Sequence, residues 1–286
     1  MNKEKMRIAL VAPGSKLDQS VAEAVAALAA QTYGTGLELW FHPQCFLMSG
    51  HFAGKDTERA DAFVEVANDP SFDAVWIARG GYGACRIAGS VVDRLRSSAR
   101  EKTYLGYSDA GALLAALYRS GFKKLAHAPM PTDIRRDNGD IAVKRSLRFL
   151  VESARDTLEP SIEPGQKTAA FNIMILSLLL GTPIEPDLSG HVLMLEEVNE
   201  YMYRIDRAMF HITSQASIHR VVGIKLGRCS AIPPNDPDFA QTEEEVVQHW
   251  CTKSGIPYLG RADIGHDVEN KIVPFGSPWW VTGLGA

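Results

Sequence analysis

No apolar run in the 286 residues approaches the ~18 needed to span a bilayer. The longest candidate, Ile173 to Leu180, reads as a buried helix. The start, Met1-Asn-Lys-Glu-Lys-Met-Arg7, is charged and runs straight into a strand-like Ile8-Ala-Leu-Val-Ala12, with neither a signal-peptide core nor a cleavage pattern. A cytoplasmic protein with no membrane partner is expected. Cysteine is scarce and scattered: Cys45, Cys85, Cys229 and Cys251 form no C-x-x-C pair, which argues against a zinc site and against a disulfide framework. Reduced, mostly buried thiols are expected instead. The eight histidines include no H-E-x-x-H or similar spacing, so no metal and no other cofactor is expected. Positive charge is not concentrated either. The 30 Lys and Arg are spread along a chain of net charge −4, whereas nucleic-acid binding needs a dense basic patch. The expected partner is a small molecule.

What remains is an ordinary globular composition, 45% hydrophobic and 22% charged, long enough for two domains. Apolar strands near residues 7–12, 37–41, 74–78, 104–106 and 124–127 alternate with helical patterns at 20–31 and 59–68, the latter with Ala62, Phe63 and Val66 on one face. Strand and helix in turn predict an α/β fold, a Rossmann-like (flavodoxin-like) parallel sheet covered on both faces. From about residue 160 prolines and glycines bracket one helix, followed by strand-like stretches at 191–196, 221–226, 257–263 and 271–274 separated by turns rather than regular helices. This predicts an N-terminal Rossmann-like domain over 1–138, a helical linker over 139–160, and a smaller β-rich C-terminal domain over 161–286.

Three segments carry chemistry. Gly106-Tyr-Ser-Asp109 places Ser108 where a strand turns into an apolar helix, with Gly106, Ala110 and Gly111 leaving room for a sharp turn. The N–H groups of the following helix would face an oxyanion formed beside that oxygen. A serine at this point also serves as a plain helix cap. Arg79-Gly-Gly-Tyr-Gly83 follows another strand and lets backbone N–H groups approach a ligand, as an oxyanion-hole donor, a phosphate cradle or a simple turn. It lacks the endings of the nucleotide-binding loops, and Arg79 is available for a substrate carboxylate. Both segments follow predicted strands and should be neighbours. Downstream, a strand runs into Glu196, Glu197 and Glu200, and His266 lies in a loop between two strands. Serine is a poor nucleophile unless imidazole takes its proton and a carboxylate orients that imidazole, so the three groups gain meaning together.

In order along the chain, these segments resemble the LD-carboxypeptidases, the serine peptidases that include murein tetrapeptide carboxypeptidases and microcin C immunity peptidases. The resemblance rests on Ile8 to Pro13, Gly50 and Gly54 with Arg59, Arg79 to Gly83, Gly106 to Asp109, His127-Ala-Pro-Met130, Leu195 to Glu200, Tyr203-Arg-Ile-Asp-Arg207, and Gly265 to Asn270 with Pro274-Phe-Gly276. It implies Ser108 as nucleophile, His266 as general base and Glu196 as orienting acid, with Glu197 the adjacent rival. It also implies an oxyanion hole from Asp109 and Gly81, substrate contacts from Arg79 and Tyr82, and a homodimer. The implied reaction removes the terminal D-alanine of a murein tetrapeptide, a muropeptide substrate. The alternatives are a microcin-immunity-like peptidase acting on peptidyl-nucleotides and a non-catalytic small-molecule binding protein. An α/β-hydrolase fits the order Ser, acid, His but lacks G-x-S-x-G. Two segments depart from the family pattern. Ala170-Phe171 replaces two glycines and Ala128 replaces another, changes expected to reshape a substrate pocket.

Overall fold

The computed structural model describes residues 5–278. The first four residues of the charged start and the last eight of the predicted second domain lie outside the described residues.

The amino-terminal half alternates as read. Strands β1 (Met6–Val11), β2 (Leu37–Phe41), β3 (Ala74–Ile77), β4 (Thr103–Gly106) and β5 (Leu125–His127) pair in parallel in the order β5-β4-β3-β1-β2. This is the doubly wound order expected of a flavodoxin-like sheet. Helices α1 (Gln19–Tyr33), α2 (Asp56–Asn68), α3 (Ala84–Val92) and α4 (Gly111–Arg119) connect them, and α5 (Gly139–Glu152) follows. Helix α2 begins three residues before the predicted start, because Glu58 reaches back to accept from the Lys55 N–H at 2.6 Å.

Strand periodicity sorts the core into two layers. Ile8, Leu10, Trp76 and Leu105 pack with Val25 of α1 and Leu147 of α5. Their neighbours Ala9, Val11, Val75, Ile77 and Tyr104 face the other way, toward Phe63 of α2, Ile87 of α3 and Leu113 of α4.

The second half departs further from expectation. Four strands, β6 (Lys167–Asn172), β7 (His191–Val198), β8 (Gly223–Ser230) and β9 (Tyr258–Arg261), form a parallel sheet in that order. Parallel neighbours need crossovers, and helices supply them: α6 (Ile173–Leu179), at the one helix expected in this half, and α7 (Met202–Ser214) and α8 (Glu243–Ser254), between strands where turns were expected. Helix α7 buries Met202, Ile205, Ala208, Met209 and Ile212 on one face between charged residues, and α8 only Val246, Val247 and Cys251. Helix α6 is not wholly buried either, because Leu178 is 66% exposed. Finally β10 (Val273–Pro274), read as part of the second domain, leaves its sheet and pairs antiparallel with β5 at the edge of the first. The loop before β10 is thereby drawn over the carboxyl ends of β4 and β5.

Candidate active site

Ser108 stands two residues beyond β4, at a backbone φ of +60°. Non-glycine residues rarely adopt that conformation, and here it turns the chain sharply from strand to helix. The cap position of α4 is Ala110, and that of the short 3₁₀ turn before it is Tyr107, so Ser108 is not the cap. Asp109 is buried. Its Oδ2 accepts from the Ala84 N–H at 2.8 Å and ties the start of α4 to that of α3, while burial pushes its acid above the ordinary value.

The Arg79–Gly83 turn is the neighbour of Ser108. A Cβ on Gly80 would lie 3.2 Å from Ser108 Cβ and 3.4 Å from its Oγ. Gly81 has φ +82°, and a Cβ there would come within 2.4 Å of Ser15 Oγ. Gly14 is equally constrained, since a Cβ on it would meet the Gly81 carbonyl at 2.1 Å. The loop after β1 and the turn after β3 thus touch backbone to backbone, with Ser15 N–H donating to the Gly80 carbonyl at 3.1 Å. Arg79 is half-buried and donates to the Lys16 carbonyl at 2.8 Å, so part of its guanidinium secures this loop. Arg59, fully buried, donates to the carbonyls of Pro13 and Gly83 and joins the same two loops. Tyr82 is 53% exposed. With Cys85, Asp109, Ala112, Ile175 and Leu178 it borders an apolar pocket of about 520 Å³.

The distant segments converge on this point. His266 Nδ1 lies 2.5 Å from Oε2 of Glu196, which assigns that nitrogen its proton. Nε2 is buried and makes no hydrogen bond among the described residues. Burial alone would push the imidazole pKa down, but the charge and hydrogen bond of Glu196 outweigh it and hold it above 6.5. The ring of Tyr107, the residue before Ser108, stands 4.7 Å from that of His266 and anchors its hydroxyl on Asp133 at 2.8 Å. Glu197 points elsewhere. Its carboxylate accepts from Asn172 Nδ2 at 2.5 Å and from the Met174 N–H at 2.9 Å, on the far side of the strand from His266. Glu200 pairs with Arg204 at 2.7 Å.

Several residues that hold His266 were given no role in the sequence. Arg228 grips Asp263 at 2.6 Å and both carboxylate oxygens of Asp267, bracketing the histidine. Asn270 Oδ1 accepts from His127 Nε2 and from the Gly265 N–H, each at 3.2 Å. Arg145 donates to the carbonyls of Val268 and Asn270. Only spatial proximity could have found Arg228 and Arg145. The two departures from the family pattern do not reach the site surface: Phe171 and Ala128 are both buried, and Phe171 packs on Phe275 with ring centroids 5.2 Å apart.

Comparison with known proteins identifies the family. Residues 8–128 match the model of the LD-carboxypeptidase N-terminal domain, and residues 167–280 that of the LD-carboxypeptidase C-terminal domain. The probable murein peptide carboxypeptidase of Bacillus subtilis is 30% identical over 238 residues, covering 80% of this chain and 74% of that protein. Among solved structures, the muramoyltetrapeptide carboxypeptidase of Oxalobacter formigenes superposes with a TM-score of 0.80 at 22% identity, over 95% of this chain and 93% of that one. The microcin C7 self immunity protein MccF gives 0.78 at 16% identity, over 96% and 92%. Those two likenesses speak to the fold; the domain matches and the bacillary relative say more. The chain is a member of the LD-carboxypeptidase family.

Proposed function

We propose that this protein is a serine LD-carboxypeptidase that removes the terminal D-alanine from murein tetrapeptides, with Ser108, His266 and Glu196 as its catalytic groups. The observation that carries the reading is the His266–Glu196 hydrogen bond. A carboxylate on Nδ1 leaves Nε2 as the free lone pair, the form a general base requires.

In this reading the Ser108 hydroxyl adds to the carbonyl of the residue before D-alanine while His266 Nε2 takes its proton. The oxyanion is held by the N–H groups of Asp109 and Gly81, at the start of α4 and in the turn against Gly14. The tetrahedral adduct collapses, and the proton on Nε2 passes to the departing amine of D-alanine. Water then adds to the acyl-enzyme by the same base and frees Ser108. Arg79 supplies a cation beside the site for a substrate carboxylate, and Tyr82 an exposed ring at its rim. The resemblance also suggests a homodimer. The exposed Leu178 and Phe210 on α6 and α7 offer an apolar face for pairing, which light scattering in solution tests.

Incubation with disaccharide tetrapeptide, followed by mass spectrometry, tests the reaction. Released D-alanine and a tripeptide product are expected from the wild type, and neither from Ser108→Ala. A wild type that releases no D-alanine sinks the murein reading. Turnover of a peptidyl-nucleotide in a parallel assay would favour the immunity-type alternative.

A further inference from the structure

Glu197 is 2% exposed and takes no part in the relay described above. Its carboxylate nevertheless accepts three N–H donors. Oε1 receives Asn172 Nδ2 at 2.5 Å and the Val198 N–H at 2.9 Å, and Oε2 receives the Met174 N–H at 2.9 Å. Asn172 Oδ1 in turn accepts from the Ile175 N–H at 3.1 Å, so the two side chains together close the first turn of α6 onto the end of β7.

The neighbouring Glu196 is held differently. Oε2 meets His266, and Oε1 has no hydrogen-bond partner among the described residues. Its carboxylate is therefore aimed chiefly by the backbone beneath it. On one side that backbone has slipped out of regular pairing, since the register of β7 with β8 shifts between Leu195 and Glu197. On the other side the ladder with β6 ends at Asn172 opposite Glu196. The bonds of Glu197 prolong this attachment past the last rung.

We propose that Glu197 is a positioning residue for the hydrolytic site: its carboxylate locks the β6–α6 junction to the end of β7 and thereby fixes Glu196 against His266. The inference rests on the serine-hydrolase reading above. Ionisation is its handle. Burial pushes the acid up to about 7, the charge of Glu196 acts in the same direction, and the three donors oppose them. Beyond Glu196, the titratable groups that feel its charge are Cys229 across on β8 and, through the strand from its other face, His266. Above that pH the clamp is a carboxylate that can accept at every position. Below it, the acid carries a proton toward groups that are themselves donors, and a bond is lost.

The test is the rate at which a fluorophosphonate phosphonylates Ser108, the serine oxygen bonding to phosphorus as fluoride leaves and His266 takes the proton, a reaction that needs the relay but not the natural peptide. Glu197→Gln is neutral at every pH. At about pH 8.5 the wild type should react about tenfold faster than this variant. The ratio should fall to one or below by about pH 5.5, where the wild-type acid is itself protonated. A purely structural role would leave the ratio independent of pH, and that result overturns the inference. Asn172→Ala is the second variant, with folding of both checked by circular dichroism. It removes a donor that holds the acid down, so its rate profile should shift to higher pH; an unshifted profile also counts against the proposal. A wild type that does not react at all overturns the serine reading and this inference with it, whereas a reactive wild type with a flat ratio overturns this inference alone.

Discussion

His266 Nδ1 donates to Glu196 Oε2 at 2.5 Å, although the two residues lie seventy positions apart and belong to different elements, the loop between β9 and β10 and the end of β7. Glu196 is fully buried, and the pair sits where the second sheet is drawn over the end of β4. The consequences of that arrangement can be measured.

Glu196→Gln keeps the shape and removes the charge. The amide oxygen can accept from Nδ1, but the interaction that holds the imidazole above its ordinary value is gone, so the acid limb of kcat/KM should move to lower pH. Maximal activity should fall on the order of 10³ to 10⁴-fold as the preference for the correct tautomer weakens. A pH–rate profile of the variant checks both. An acid limb that stays in place means His266 is not the base.

Arg228→Met should leave substrate affinity nearly intact and damage turnover. The variant releases Asp263 and Asp267, which flank His266, and leaves two carboxylates repelling each other across the loop. Misplacing the base by about 1 Å is enough for a loss of roughly 10- to 100-fold in kcat. Steady-state kinetics decide it: a rise in KM at constant kcat would assign Arg228 to substrate binding instead.

His127 gives a stability signature. Burial lowers its pKa to about 4, so the folded protein keeps it neutral while the unfolded chain takes a proton near 6.5. Between those values the unfolded state binds more protons, and stability must fall as pH drops from about 6.5 to 4. The contribution is on the order of 3 kcal/mol. Urea denaturation at both pH values should show a smaller gap for His127→Gln than for the wild type. An equal gap would place the acid sensitivity elsewhere.

Phe171→Ala restores a small residue near the glycines usual in the family. Since Phe171 packs on Phe275 in the core, the change should cost about 3–5 kcal/mol of stability and leave selectivity for the terminal residue unaltered. Denaturant melts and a panel of tetrapeptides differing in that residue measure the two effects. A changed preference with unchanged stability would return Phe171 to the substrate pocket.

The first sheet was legible because its central strands β3 and β4 are short, almost wholly buried apolar runs and each is followed by a glycine-rich turn, so local pattern and final position coincide. The second sheet was less so. Helix α8 buries only Val246, Val247 and Cys251, and Val273–Pro274 pairs with a strand nearly 150 residues earlier, a choice that no local propensity encodes. The site divides in the same way. Glycines at 80, 81, 83 and 106 and the serine between strand and helix announce a constrained turn in any sequence. Arg228 and Arg145 bear no such mark, because their role is defined only by the loop they hold.

By itself, then, the sequence determined which groups could do chemistry: one serine at a strand-to-helix turn, acids at a strand end, and a histidine between glycine and aspartate. It could not choose between Glu196 and Glu197, which share composition, neighbours and strand. Tertiary structure separated them, because successive side chains on a strand point to opposite faces. One face presents Glu196 to His266, and the other buries Glu197 against the start of α6.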